Sequence, residues 1–178
     1  MSTSLITKEI QEKLSKELNL KNPMMMPKIQ KVVLNIGVGE SVVNKHAVEK
    51  AQEQLSQIAG QKAMVTLARK SISAFKIRKG FPIGVKVTLR GKKMNAFVEK
   101  LIRIIIPRIR DFKGVEPSVV DQNGNLNMGF YEQTIFPEIE YDKIDKIRGL
   151  QVTIVTTAGN REVGRKLFEI LGIPFKTN

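Results

Sequence analysis

The chain has no cysteine, no tryptophan, two tyrosines and one histidine, His46. Without cysteine, disulfide scaffolds, thiol catalysis and cysteine-based zinc sites are excluded. One histidine cannot build a multi-histidine metal site. No run approaches the roughly 18 apolar residues of a membrane span. The N-terminal stretch lacks a compact apolar segment with a small-residue cleavage site, and it carries Glu9, Glu12 and Glu17. Neither a secretory signal nor an acid-poor transit peptide is expected. The two ends match neither a myristoylation nor a prenylation pattern. Acid is scarce as well: 17 Asp and Glu face 30 Lys and Arg, a formal charge of +13. What is present is 178 residues, 42% of them hydrophobic. That is enough for a real core, and it argues against a disordered basic tail. One soluble, intracellular domain over 1–178 is expected.

The excess charge sits in one third of the chain. Residues 61–113 hold fifteen cations and two acids, Glu99 and Asp111, whereas 1–60 are net +2 and 114–178 net −2. A short run such as Lys92-Lys93 is an ordinary solvated face. Fifteen against two is a field that a polyanion relieves, which points to nucleic acid. An anionic membrane surface competes, but it normally needs a basic amphipathic helix or a lipid anchor.

Periodicity gives about four helices and four strands. Leu5/Ile6, Ile10, Leu14 and Leu18 predict a helix over about 4–20, stopped by Asn22-Pro23. Met24 to Met26 read as an apolar plug in a loop. A strand over 28–38 puts Val32, Leu34 and Ile36 on one side and Lys31, Val33 and Asn35 on the other. Gly37-Val38-Gly39 is no dinucleotide fingerprint, because Val42 stands where a third glycine belongs. A helix over 43–59 has Asn44 as N-cap and Gly60 as stop, with His46 exposed in its first turn. Residues 61–69 read as a strand. In the strand 84–90, Val85, Val87 and Leu89 oppose Lys86, Thr88 and Arg90. A helix over 92–106 is disrupted at Pro107. Asn123-Gly124 signals a hairpin turn, Leu150 to Thr157 a strand, and Asn160 caps a last helix that stops at Gly172 and Pro174.

Strands apolar on one side only predict an α+β fold: an antiparallel sheet with helices packed on one face and the opposite, concave face open for RNA. Lys31, Asn35, Lys86, Thr88, Arg90, Gln151 and Thr153 belong on that open face. Amides and hydroxyls there can donate to and accept from ribose hydroxyls and base edges, while cations meet phosphate. Stacking-based recognition is poorly supported, so shape, hydroxyl and phosphate reading is expected more than splayed bases stacked on aromatics. Lys79-Gly80-Phe81 starts like an RNA-recognition motif, but Pro82-Ile83 breaks it. The loop Lys70 to Pro82 has four cations, with Arg69 just before it, and no acid. A loop of about this length is uncommon unless functional or disordered, and a projecting arm that touches a second polyanion is expected over a flexible linker. Glu138, Glu140, Asp142 and Asp145 could suggest a metal cluster, but they lack a paired histidine or a calcium-loop pattern and read as solvated turn residues. No cofactor is expected. A nucleoid-type DNA protein stays open as an alternative; it would insert a recognition helix.

Several long segments resemble one family. Leu55-Ser56-Gln57-Ile58-Ala59-Gly60-Gln61-Lys62-Ala63-Met64-Val65-Thr66-Leu67-Ala68-Arg69-Lys70-Ser71 is similar to the signature of bacterial large ribosomal subunit protein five, the universal 5S rRNA-binding ribosomal family. Pro27 to Gly39 resembles its first strand. Glu132-Gln133, Ile135-Phe136-Pro137-Glu138-Ile139, and Arg148-Gly149-Leu150 running into Ile154 to Ala158 resemble its C-terminal half. The resemblance implies a non-catalytic structural protein of the large subunit, monomeric within the cytoplasmic ribosome, with 5S rRNA docked on the sheet in the central protuberance. It implies hydrogen bonds to that RNA from Asn35, Gln61 and Thr88; the open-face cations Lys31, Lys86 and Arg90, with Lys62 and Arg69, complete the expected rRNA-binding set. It makes the basic loop an arm toward P-site tRNA, with Lys76, Arg78, Lys79 and Phe81 at its tip. It also implies contact with large-subunit rRNA and, within 108–145, with a small-subunit head protein in an intersubunit bridge. One departure is the hairpin Asn123-Gly124-Asn125-Leu126, where the family usually has Arg-Gly and an aromatic. Met25-Met26 also replaces a more usual Gln-Val.

Overall fold

The computed structural model describes residues 8–18, 22–42, 44, 46–110, 112–139 and 144–176. Five strands form one sheet in the order β2-β3-β1-β5-β4. They are β1 (Ile29–Gly37), β2 (Met64–Leu67), β3 (Pro82–Leu89), β4 (Leu126–Phe130) and β5 (Leu150–Thr156). The helices are α1 (Lys8–Glu17), α2 (His46–Ala59), α3 (Gly91–Lys100), a short α4 (Ile106–Arg108) and α5 (Arg161–Ile170). The sheet is antiparallel. Met64 pairs with Lys86 and Val65 with Val85 between β2 and β3. The start of β1 meets the end of β5 where the Thr157 amide donates to the Lys28 carbonyl at 3.0 Å. The fold is α+β, as the mixed periodicity predicts.

Contacts divide the chain into two compact units. One comprises Met1–Val32, Arg90–Met128 and Thr153–Asn178; the other comprises Val33–Leu89 and Gly129–Val152. In the second unit, α2 packs on β3, burying Ala51, Leu55 and Ile58 against the apolar side that carries Val85, Val87 and Leu89. Asn44 caps α2 as its spacing predicts: its side-chain oxygen accepts from the His46 amide at 3.1 Å. His46 is exposed, and its ring contacts the Glu49 carboxylate at 2.9 Å.

In the first unit α1 packs on α5, and Leu14 and Leu167 are fully buried. Leu5, Ile6, Asn19 and Leu20, at either end of the expected first helix, lie outside the described residues. Asn160 caps α5, accepting from the Glu162 amide. The expected helix over 92–106 is α3 continued by a wide turn, Leu101–Ile105, into α4. The Ile106 amide donates to Leu101, five residues back. Pro107 explains this: it donates no hydrogen bond and crowds the carbonyl four residues earlier, so the ladder widens instead of stopping.

The hairpin before β4 is locked rather than open. Asp121 accepts from the Asn123 and Asn125 amides at 2.9 and 2.8 Å, and from the Asn125 side chain at 2.9 Å. The Asn125 side-chain oxygen in turn accepts from the Thr156 amide at 2.9 Å. Gly124 has φ +78, and a Cβ on Gly164 would lie 2.5 Å from the Gly124 Cα. Both glycines are needed for that approach.

Candidate nucleic-acid interface

Alternation along the strands produces the interface. On β1, Val32, Leu34 and Ile36 are completely buried, while Asn35 between them is exposed. On β3, Lys86 and Thr88 are exposed between buried neighbours. A side chain cannot leave its face without shifting the register by one residue and exposing the whole apolar set. Burial of one side therefore fixes what the other presents.

Gln61 follows α2, whose end is marked by Gly60 at φ +60. Its side-chain nitrogen donates to the Thr88 carbonyl at 3.2 Å. The structure thus brings Gln61 to Thr88, two residues that sequence reasoning reached by different routes. The register adds a neighbour not singled out by sequence: Met64 opposes Lys86 and is 59% exposed. Its signal was present in the alternation of residues 64–67, but that strand is too short for the period to declare its faces. Lys62 and Arg69, flanking β2, are exposed, and so is Gln151 on β5.

The first unit holds the other expected face residues. Arg90 is exposed, and Lys31 and Thr153 are half-buried. The Thr153 hydroxyl donates to the Asn127 side-chain oxygen at 2.8 Å. That cross-strand bond occupies its proton.

Residues 68–82 form a closed hairpin. The Ile72 and Ile77 amides donate to each other's carbonyls at 2.9 and 3.2 Å, and the Ala68 amide donates to the Phe81 carbonyl at 2.8 Å. The Lys79 amide donates to the Ser71 hydroxyl at 3.0 Å. The tip is a short turn, Ser73–Phe75, followed by Lys76. Lys76, Arg78 and Lys79 are exposed near it. Phe81 is half-buried at the base, because the Ile72–Ile77 bridge closes the loop well before it. Phe75, which sequence reasoning passed over, stands at the tip, 68% exposed.

Charge separates by position within the second unit. Arg148, whose side chain is 3% exposed, forms a fork on Asp145 with bonds of 3.0 and 2.9 Å. Its Nε faces Glu40 at 3.5 Å, too long for a good hydrogen bond. Lys146 reaches the other Glu40 oxygen at 3.0 Å, Lys50 approaches Asp145 at 3.9 Å, and buried Gln133 donates to the Lys146 carbonyl at 3.0 Å. The Arg148 hydrogen bonds hold the Asp145 carboxyl down to about 2, against a desolvation that raises it. Asp145 is exposed in a bend, as a solvated turn residue should be, and it also clamps Arg148. Glu140 and Asp142 lie outside the described residues. Among the described residues, no group of three or more acidic, histidine or cysteine side chains could hold a metal. Lys62, Arg69, Lys76, Arg78, Lys79 and Lys86 pair with no carboxylate among the described residues. No helix among those residues is long and apolar enough to cross a membrane.

These features define a class: a basic α+β protein whose strands bury one side and present amide, hydroxyl and unpaired cation on the other. The family described as ribosomal protein L5 matches residues 22–78, and the ribosomal L5P family C-terminus matches 82–175. The chain is 55% identical to large ribosomal subunit protein uL5 of Desulfotalea psychrophila, covering 96% of this chain and 95% of that one. It is also 55% identical to uL5 of a Thermoanaerobacter species, covering 94% of each. With uL5 of Dictyoglomus turgidum it shares 54%, covering 95% and 94%. The chain belongs to the uL5 family of ribosomal proteins. It is accordingly a structural constituent of the large ribosomal subunit and not an enzyme.

Proposed function

We propose that this protein binds 5S rRNA with the exposed side of β1 and β3 and helps attach it in the central protuberance of the large subunit, in contact with large-subunit rRNA. The cationic hairpin reaches P-site tRNA, and a surface within 108–145 meets a small-subunit head protein in an intersubunit bridge. The protein works as a cytoplasmic ribosomal component and as a monomer within the particle. One observation carries the reading. Asn35 and Thr88 are exposed on strands whose alternate residues are fully buried, with Gln61 bonded to the Thr88 backbone.

The chemistry fits an A-form partner. Its wide, shallow minor groove presents 2′-hydroxyls that both donate and accept. The Asn35 amide and the Thr88 hydroxyl do both as well. Lys86 shares a face with Thr88 and supplies phosphate attraction, which positions the duplex without reading sequence. A fixed strand surface suits shape reading better than an inserted helix does.

The test is a 5S rRNA titration with a duplex DNA competitor. Asn35→Ala and Thr88→Ala each weaken binding by roughly 5- to 100-fold, the cost of leaving an RNA group without its hydrogen bond. Unchanged affinity in both variants removes the sheet face as the docking site. Equal competition by duplex DNA moves the protein to a general polyanion binder. Replacing Lys76, Arg78 and Lys79 together leaves 5S rRNA binding intact and weakens P-site tRNA retention. Loss of 5S rRNA binding instead means that the hairpin belongs to the 5S site.

A further inference from the structure

We infer that Phe75 is an RNA-stacking residue: its ring lies against an exposed nucleobase of the RNA that the hairpin reaches. The inference rests on the proposed reading of the hairpin as the arm toward P-site tRNA, and it names a contact within it.

Three observations carry it. First, Phe75 is 68% exposed, at the end of a hairpin that the Ile72–Ile77 pair closes without its ring. The hairpin does not use the ring for packing. Secondly, the ring is surrounded in sequence by Lys70, Lys76, Arg78 and Lys79, with no acid from Lys70 to Pro82. An apolar protein pocket would have to accommodate those charges; a phosphate backbone neutralises them while its bases offer π faces. Thirdly, Lys76 holds φ 54 and ψ 29. Non-glycine residues rarely adopt this left-handed backbone, and such conformations persist where the surroundings hold them and cluster at ligand contacts. Here the Lys76 amide donates to Ser73 at 2.9 Å. The turn that displays Phe75 is thus set before any partner arrives, and little ordering remains for binding to oppose.

The chain has no tryptophan, so Phe75→Trp places a lone indole reporter at the tip. Deacylated tRNA added to this full-length variant at low salt quenches the emission at least twofold. Ribosomes carrying Phe75→Ala or Phe75→Leu release P-site tRNA about tenfold faster than wild type, within the roughly 5- to 150-fold range that one stacked base supports. Ribosomes carrying Phe75→Trp keep the wild-type rate. Wild-type release from Phe75→Leu overturns stacking in favour of a plain apolar contact or a protein pocket. Unchanged indole emission with tRNA bound overturns it as well. A combined Lys76→Ala, Arg78→Ala, Lys79→Ala variant separates the two levels. If it speeds release and Phe75→Ala does not, the arm reading stands and stacking fails. If it changes nothing, the arm reading itself fails. Quenching by 5S rRNA and not by tRNA retains the stacked ring and overturns the arm's assignment to tRNA.

Discussion

Arg148 and Arg78 lie in the same compact unit and carry the same guanidinium, yet they do opposite work. Arg148 is sealed in, forked on Asp145 and facing Glu40. Arg78 stands exposed on the hairpin. Lys50 and Lys146 belong with the first; Lys62, Lys76, Lys79 and Lys86 belong with the second. A buried guanidinium is tolerated only when its charge and donors are matched. Cations left unmatched over one stretch repel one another, and that cost is relieved only by an external anion. The difference teaches that net charge alone is a poor guide to function. What matters is which cations the fold has already neutralised.

The unmatched cations outside the hairpin tip, Lys62, Arg69 and Lys86 among them, govern the largest expected effect. If about six phosphates are neutralised, the log–log salt slope of 5S rRNA binding is near −4 to −5, a loss of roughly 300- to 1,000-fold between 50 and 200 mM salt. A titration series checks it, and a flat response removes the electrostatic half of the comparison. The matched set governs folding instead. Arg148→Met removes the forked hydrogen bonds to Asp145 and leaves Glu40 to Lys146 and Asp145 to the longer approach of Lys50, which costs about 2 kcal/mol of stability, read from urea unfolding. The folded fraction keeps its 5S rRNA affinity within about twofold. A large affinity loss at constant stability would place Arg148 in the RNA site and collapse the distinction.

Acid sharpens the same contrast. The folded Asp145 carboxyl is held down to about 2, below an unfolded value near 3.9. A depressed acid contributes stability that is fully present above about pH 4 and is lost as pH falls through about 2. Screened by solvent at this exposed residue, the contribution is on the order of 1 kcal/mol. Urea unfolding of wild type and Asp145→Asn from pH 6 to 2 therefore gives curves that converge only below about pH 4. Curves that stay parallel exclude Asp145 as the titrating member of the clamp.

The sheet face is legible in sequence because its cause is local: period-two burial on Lys28–Val38 and Gly84–Arg90 assigns each side chain a side. The clamp is not, because Glu40 and Arg148 are joined only by the folded chain and Asp145 looks like any solvated acid. β4 is hidden by Gly129 and by the short stretch after Asn123-Gly124. The hairpin tip is hidden for a different reason. Ser73, Ala74 and Phe75 carry none of the glycine, proline or asparagine that usually marks a turn, and lysine is not expected in the left-handed region. The resemblance therefore sets the tip over Lys76, Arg78, Lys79 and Phe81, whereas the turn itself is Ser73–Phe75 followed by Lys76.

Gln61 gives the smallest effect and the finest cut. Its bond to the Thr88 carbonyl is 3.2 Å long and exposed, so water replaces it at little cost. Gln61→Ala therefore changes unfolding free energy by under about 0.5 kcal/mol. Its amide is nevertheless held against the strand that presents Thr88, so an RNA hydroxyl meeting Thr88 lies within reach of the same amide. Loss of that second contact weakens 5S rRNA binding by about tenfold, on the order of 1.4 kcal/mol. Stability and affinity move apart, opposite to the expectation for Arg148→Met. A double-mutant cycle with Thr88→Ala decides whether the two side chains grip one RNA group or two. Coupling above about 0.5 kcal/mol means one shared group, and additivity means two independent ones.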